Sequence, residues 1–170
     1  MLFRSVGGVT VAAGDVTGDG RADIVTGNGT TGEVQAFDGQ TLASVRRVAP
    51  FFSPVDSQLP LGVNMAVGDV TGDGIADVVI GAGDGGAPQV QVFDGKTGML
   101  SFKNAVFAFD PSSRRGVSLA IRDLNGDGVG EILAGDGQTG KVKAFDGNTL
   151  AELVTLEPFG KAYVGGVFVG

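Results

Sequence analysis

Asp15-Val16-Thr17-Gly18-Asp19-Gly20-Arg21-Ala22-Asp23 is a nine-residue loop that the chain writes three times. It returns as Asp69-Val70-Thr71-Gly72-Asp73-Gly74-Ile75-Ala76-Asp77, and again as Asp123-Leu124-Asn125-Gly126-Asp127-Gly128-Val129-Gly130-Glu131. The first carboxylates stand at 15, 69 and 123, an interval of 54 residues each time. Oxygen-bearing side chains recur at loop positions 1, 3, 5 and 9, with glycine at 4 and 6. Glycine at position 6 permits the sharp turn that points several hard oxygens at one centre. Calcium takes six to eight such ligands at about 2.3–2.6 Å, from carboxylates, amides, backbone carbonyls and water. The pattern predicts three Ca²⁺ sites. Their side-chain ligands are Asp15, Thr17, Asp19 and Asp23 in the first, Asp69, Thr71, Asp73 and Asp77 in the second, and Asp123, Asn125, Asp127 and Glu131 in the third. Arg21, Ile75 and Val129 at position 7 contribute backbone carbonyls, so their side chains are expected to vary freely.

Three other readings compete. Asp-Gly pairs make hairpin turns, but a turn does not explain three carboxylates per loop, which repel one another without a cation. Magnesium demands tight octahedral geometry and keeps its waters, so it suits the loop less well. The EF-hand begins the same way but closes with a bidentate Glu at position 12 and is flanked by helices. Here position 12 is Thr26, Ile80 or Ala134. The flanks, Val9 to Ala13 and Ile24 to Thr26, are short β-branched runs of strand character. The unit is strand–loop–strand, and the acid at position 9 closes the site.

Composition narrows the rest. The chain has 170 residues, enough for a real core, and 31 are glycine, which suits short strands and tight turns. The net charge is −7, and nine of the 19 acids sit in the loops, so three Ca²⁺ would leave −7 + 6 = −1. The acidity is thus mostly ligand charge, and no basic stripe suggests nucleic acid. Cysteine and histidine are absent, which removes disulfides, His-based zinc sites and Ser-His triads. No apolar run is long enough for a membrane span, and Met1 to Ser5 does not have the build of a signal peptide.

Each loop lies in the same larger unit of four strands. The expected strands are 8–13, 24–27, 33–37 and 42–48 in the first unit. In the second they are 62–67, 78–80, 89–93 and 100–108, and in the third 116–121, 132–134, 141–145 and 150–156. Asp38-Gly39, Asp94-Gly95 and Asp146-Gly147 are tight-turn signals before each fourth strand. Repeats of about 50 residues with four antiparallel strands are the units of a β-propeller, whose neighbours bury what one blade cannot. The fold class is therefore all-β, with blades over 6–52, 53–109 and 110–160. Residues 161–170 form the first strand of a further blade, since Gly165 to Gly170 aligns with Gly7 to Val11.

The motif Asp-x-[Thr/Asn]-Gly-Asp-Gly-x-x-[Asp/Glu] after a Val-rich strand resembles the calcium-binding blades of the FG-GAP/VCBS family, the repeat of integrin α-subunit propellers. Gly86-Ala87-Pro88 and Phe159-Gly160 spell the two halves of the family's name, and Phe-Asp-Gly at 37–39, 93–95 and 145–147 resembles the bacterial version. The resemblance implies a non-enzymatic binding or scaffold module of a secreted or cell-surface protein, used in adhesion. Its partners would be calcium, an extracellular protein or glycan, and other blades or copies of the same protein. Propellers have 4–8 blades, so three units imply a piece of a longer repeat protein, or two chains closing one ring. The alternative function is the propeller portion of a polysaccharide lyase or hydrolase, drawing on Glu33, Asp56, Asp84, Asp110, Asp136, Glu152 or Glu157. None of these has a recognised catalytic spacing, and no catalytic residue is assigned. Phe37, Phe93 and Phe145 are expected in the core, while Phe51, Phe52, Phe107 and Phe159 are expected to pack blade against blade. Arg46-Arg47 and Arg114-Arg115 are expected as solvated surface.

Overall fold

A computed structural model describes residues 8–49, 62–100 and 105–170. These form twelve strands and no helix. They are β1 Val9–Gly14, β2 Asp23–Asn28, β3 Val34–Phe37, β4 Ser44–Val48, β5 Val63–Gly68, β6 Asp77–Ala82, β7 Gln89–Phe93, β8 Val106–Phe107, β9 Val117–Arg122, β10 Glu131–Asp136, β11 Val142–Phe145 and β12 Glu152–Leu156. They assemble as three antiparallel meanders, β1-β2-β3-β4, β5-β6-β7-β8 and β9-β10-β11-β12. The three sheets are propeller-like blades in a row that does not close on itself. Among the described residues no helix is long and apolar enough to cross a membrane.

The expected strands are present with three differences. The fourth strand of the second unit is reduced to β8, with a single bridge between Phe93 and Leu100 before it; positions 101–104 lie outside the described residues. Positions 42 and 150 belong to turns and not to strands. The tail at 165–170 forms no ladder.

The blades stack through their inner strands. β5 packs on β1 and β2, and β9 packs on β5 and β6. Glycine makes the approach possible: a Cβ on Gly27 would meet Val63 Cγ2 at 2.7 Å, and one on Gly81 would meet Val117 Cγ1 at 2.7 Å. A polar clasp recurs beside each contact. Thr10 Oγ1 donates to Val63 O at 3.1 Å, and Asn64 Nδ2 donates to Val117 O at 2.8 Å. Ser118 Oγ donates to Val167 O at 3.0 Å, and Val167 O also lies over Gly135. The tail therefore rests on the third blade as each first strand rests on the blade before it.

Two apolar clusters fill the spaces between sheets. One joins Val16, Val25, Val34 and Ala36 of the first blade to Val63, Val78 and Ile80 of the second. The other joins Val79, Val90 and Val92 to Val117, Ile132, Ala134 and Phe145. Phe145 is buried and Phe93 half-buried against these clusters, as expected for core aromatics, whereas Phe37 is half-buried outside both clusters. Phe107 and Phe159 are not between blades; both are exposed, and Phe159 stacks on Tyr163 with ring centroids 5.0 Å apart. Beside Phe107, Ala108 and Phe109, just after β8 where the strand has ended, take the buried places instead. Phe51 and Phe52 lie outside the described residues.

The Asp-Gly signals mark longer turns than the two-residue hairpins expected. Leu42 N donates to Asp38 O at 2.9 Å, and Asp38 Oδ1 accepts from Thr41 N at 2.6 Å. Asp94 with Thr97 and Asp146 with Thr149 repeat this cap. Asp38, Asp94 and Asp146 are thus turn residues, as expected. The left-handed position is not the glycine after the aspartate but the residue four after it: Leu42 at φ 58°, Gly98 at 69° and Leu150 at 56°. A left-handed Leu costs about 1–2 kcal/mol, against roughly 0.5–1 for the extra freedom of an unfolded Gly. Leu42 is exposed, so Leu42→Gly should raise the melting temperature by about 2 °C. Leu150 packs on the core, so Leu150→Gly should lower it. Thermal unfolding of the two variants checks the contrast.

Candidate metal centre

All three nine-residue loops join the first and second strands of a blade, at the same end as the Asp-Gly turns. Their shape comes from the first aspartate and two glycines. Asp15 Oδ1 accepts from Gly18 N at 2.6 Å and Asp19 N at 3.1 Å, and Oδ2 accepts from Gly20 N at 2.7 Å. Asp69 does the same with Gly72, Asp73 and Gly74, at 2.6, 3.2 and 2.7 Å. Asp123 accepts from Gly126 and Gly128 at 2.6 and 2.9 Å. Wrapping amides around one carboxylate needs left-handed backbone at positions 4 and 6, and the six glycines there have φ between 78° and 87°.

These amides set the acidity of Asp15 and Asp123. Desolvation pushes Asp15 up, but the amides of Gly20, Gly18, Asp19 and Thr17 outweigh it and hold the carboxyl below its ordinary value. The amides of Gly128 and Gly126 lead the same downward shift in Asp123. Charge on Asp15 and Asp123 is stabilised before any cation arrives.

Position 9 is different. Asp23, Asp77 and Glu131 are buried, while the first and fifth positions of the loops are not. Asp77 Oδ2 accepts from Val70 N at 2.9 Å and Thr71 N at 3.0 Å, while Oδ1 accepts from Gly95 N at 2.8 Å. Asp23 binds Val16, Thr17 and Gly39 in the same way, each at 3.0 Å. Asp23 and Asp77 therefore pin their loops to the neighbouring Asp-Gly turn, a role the sequence alone did not reveal, whereas Glu131 accepts from Leu124 N at 2.6 Å and from Asn125 Nδ2 within its own loop. The turn glycine is needed for close approach: a Cβ on Gly39, Gly95 or Gly147 would collide with the carbonyl of Ala22, Ala76 or Gly130 at loop position 8. Burial pushes Asp77 above its ordinary pKa, against the opposing pull of the Gly95 and Val70 amides and of Thr71.

The donor set fits a hard cation. Thr71 Oγ1, at position 3, is buried against Asp77 without a hydrogen bond of good geometry, an orphan that a cation would satisfy. A cation would also offset the burial that raises Asp77. In the third loop Asn125 Nδ2 donates to Asp127 Oδ2 at 3.0 Å and Glu131 Oε1 at 3.1 Å, placing positive hydrogens between two carboxylates. Among the described residues no three acids converge closely enough to share a metal. Of the position-5 residues that would close the distance, Asp19 and Asp127 are exposed, while the carboxylate of Asp73 faces Lys96 Nζ at 3.8 Å. Position 7 is less free than expected: Ile75 and Val129 are half-buried, and only Arg21 is exposed.

Residues considered for other chemistry are engaged locally. Glu33 pairs with Arg47 at 2.7 Å, Glu152 with Lys143 at 2.7 Å, and Glu157 with Lys141 at 3.7 Å. Arg115 stands 3.9 Å from Asp84. Asp110 caps Ser112 N, and the buried Asp136 caps Gln138 and Thr139. Asp56 lies outside the described residues. Arg46 is not merely solvated surface: its Nη1 crosses to the second blade and donates to Gly95 O at 2.6 Å. Arg114 turns back on the carbonyls of Pro111 and Ser113.

The family model for the FG-GAP-like repeat matches this chain twice, over residues 15–80 and 69–134. The chain belongs to the FG-GAP-like repeat family. Each match starts at the first aspartate of one loop and ends three residues past the acid at position 9 of the next. The FG-GAP-like unit recognised here thus spans a blade junction, the part of the structure where the loops meet. It is a module of binding and structural type on a propeller-like all-β fold.

Proposed function

We propose that this chain is a calcium-binding propeller module of a secreted or cell-surface protein, serving adhesion or scaffolding toward an extracellular protein or glycan. The observation that carries this reading is the alignment of three equivalent oxygen-rich loops at one end of three successive blades. Asp15, Thr17, Asp19 and Asp23, with their counterparts in the other two loops, would hold the cations. Bound calcium would supply positive charge that braces each loop between its two strands. The chain's own residues do the rest: position 1 gathers the loop amides, and Asp23 and Asp77 anchor their loops to the turns beside them. Sites of this kind suit the calcium levels outside cells, where dissociation constants of about 10⁻⁴–10⁻³ M suffice.

Thermal unfolding in about 10 mM Ca²⁺, roughly 100 times the lower of those dissociation constants, in the same concentration of Mg²⁺ and in EDTA tests the reading. One site at 100 times its dissociation constant adds about 2.7 kcal/mol. A chain of this size gains about 2–4 °C per kcal/mol. Even one occupied site should therefore raise the melting temperature by more than about 5 °C in Ca²⁺, and by less in Mg²⁺. Coincident melting curves in Ca²⁺ and EDTA would refute calcium binding.

A further inference from the structure

The three loops are not independent. Each is docked on the loop of the preceding blade, by the same contacts at both junctions. Ala76 N donates to Asp15 O at 2.8 Å, and Gly130 N donates to Asp69 O at 2.8 Å. Position 8 of one loop thus holds the carbonyl of position 1 in the loop before it. The position-7 side chains reinforce the contact. Ile75 Cδ1 lies 2.9 Å from where a Cβ on Gly18 would stand, and Val129 Cγ2 lies 3.0 Å from the equivalent point on Gly72. Only a glycine at position 4 admits them. Position 2 shows what the next loop covers: Val16 is 2% exposed and Val70 0%, whereas Leu124, with no described loop beyond it, is 57% exposed.

The residues in contact adjoin the proposed ligands on both sides. Asp15 and Asp69 carry the first carboxylate of their loops. Ala76 and Gly130 sit between the position-7 carbonyl and the position-9 acid of theirs. Ordering one loop therefore restrains donors of its neighbour, and a second cation meets a loop that has already lost part of its freedom. Charge opposes this in part, because one Ca²⁺ takes a loop of three carboxylates from −3 to −1 and weakens the field its neighbour's cation meets; the shared ordering must outweigh that loss.

We propose that calcium binds the three loops cooperatively and in series, with the middle loop as the relay between outer loops that do not touch. This rests on the calcium reading above. Isothermal titration of the full chain with CaCl₂ tests it in three variants that each leave two loops intact. Asp123→Asn keeps loops one and two, Asp15→Asn keeps two and three, and Asp69→Asn keeps one and three. The two adjacent pairs should bind cooperatively, the second Ca²⁺ about five-fold tighter than the first, the lower end of usual coupling. The separated pair should bind as independent sites. Adding Ile75→Ala to the first pair, or Val129→Ala to the second, should reduce the cooperativity, because each removes packing on the neighbouring loop while leaving the backbone carbonyl. Independent binding in all three variants, or equal cooperativity in the separated pair, would overturn the serial coupling and leave the calcium sites standing. No calcium binding by the unaltered chain would overturn both.

Discussion

Asp77→Ala should destabilise the protein by about 3 kcal/mol, in EDTA as well as in Ca²⁺. The side chain is fully buried and accepts hydrogen bonds from the amides of Val70, Thr71 and Gly95. Alanine would strand those donors, and an unsatisfied buried donor costs about 1–3 kcal/mol. Part of the loss is returned, because burial already disfavours the charged form of Asp77. Asp77→Asn keeps one acceptor oxygen and should fall between the two. Asp15→Ala gives the opposite pattern. The amides of Gly18, Asp19 and Gly20 are exposed and can turn to water. This variant should therefore melt close to the unaltered chain in EDTA and lose stabilisation mainly in Ca²⁺. Melting curves of the three variants in both buffers separate an acid that builds the fold from one that holds the ion. A loss for Asp77→Ala seen only in Ca²⁺ would refute the anchoring role.

The second large effect is expected at a position the sequence presents three times. Ile24, Val78 and Ile132 occupy the same place in successive repeats, 54 residues apart. Ile24 is 39% exposed, while Ile132 is 0% exposed and packed between the second and third blades. Ile132→Ala should cost 2–5 kcal/mol, roughly the range for emptying a buried aliphatic site. Ile24→Ala should cost about 1 kcal/mol or less, since its place can open to solvent. Urea unfolding gives both values as midpoint shifts at constant slope. Equal losses would mean that the stability of these blades does not come from their junctions.

The loops themselves were legible because their chemistry is local. Carboxylates at positions 1, 5 and 9 with glycines at 4 and 6 dictate a turn around oxygen whatever surrounds them. The strands were legible for the same reason, since alternation of apolar residues and punctuation by Gly and Asp act over a few residues. Residues whose role depends on another blade were not. Arg46 looks like one half of a surface pair until its reach to Gly95 O is seen. Ile75 looks like an indifferent carrier of a carbonyl until it meets Gly18. Phe107 ends a strand and Phe109 follows it in a bend, and only packing decides that Phe109 is the buried one.

The sequence by itself determined the all-β class, the repeat, the four-stranded meander and the residues of the three oxygen-rich loops, since period and turn chemistry are carried by neighbours along the chain. The tertiary structure decided the rest. It made the acid at position 9 a backbone anchor, set the glycine of each Asp-Gly turn against a carbonyl, and joined each loop to the next. Those roles arise from contacts between segments about 16 to 61 residues apart. A composition or a short motif carries no information about which backbone amide will arrive there.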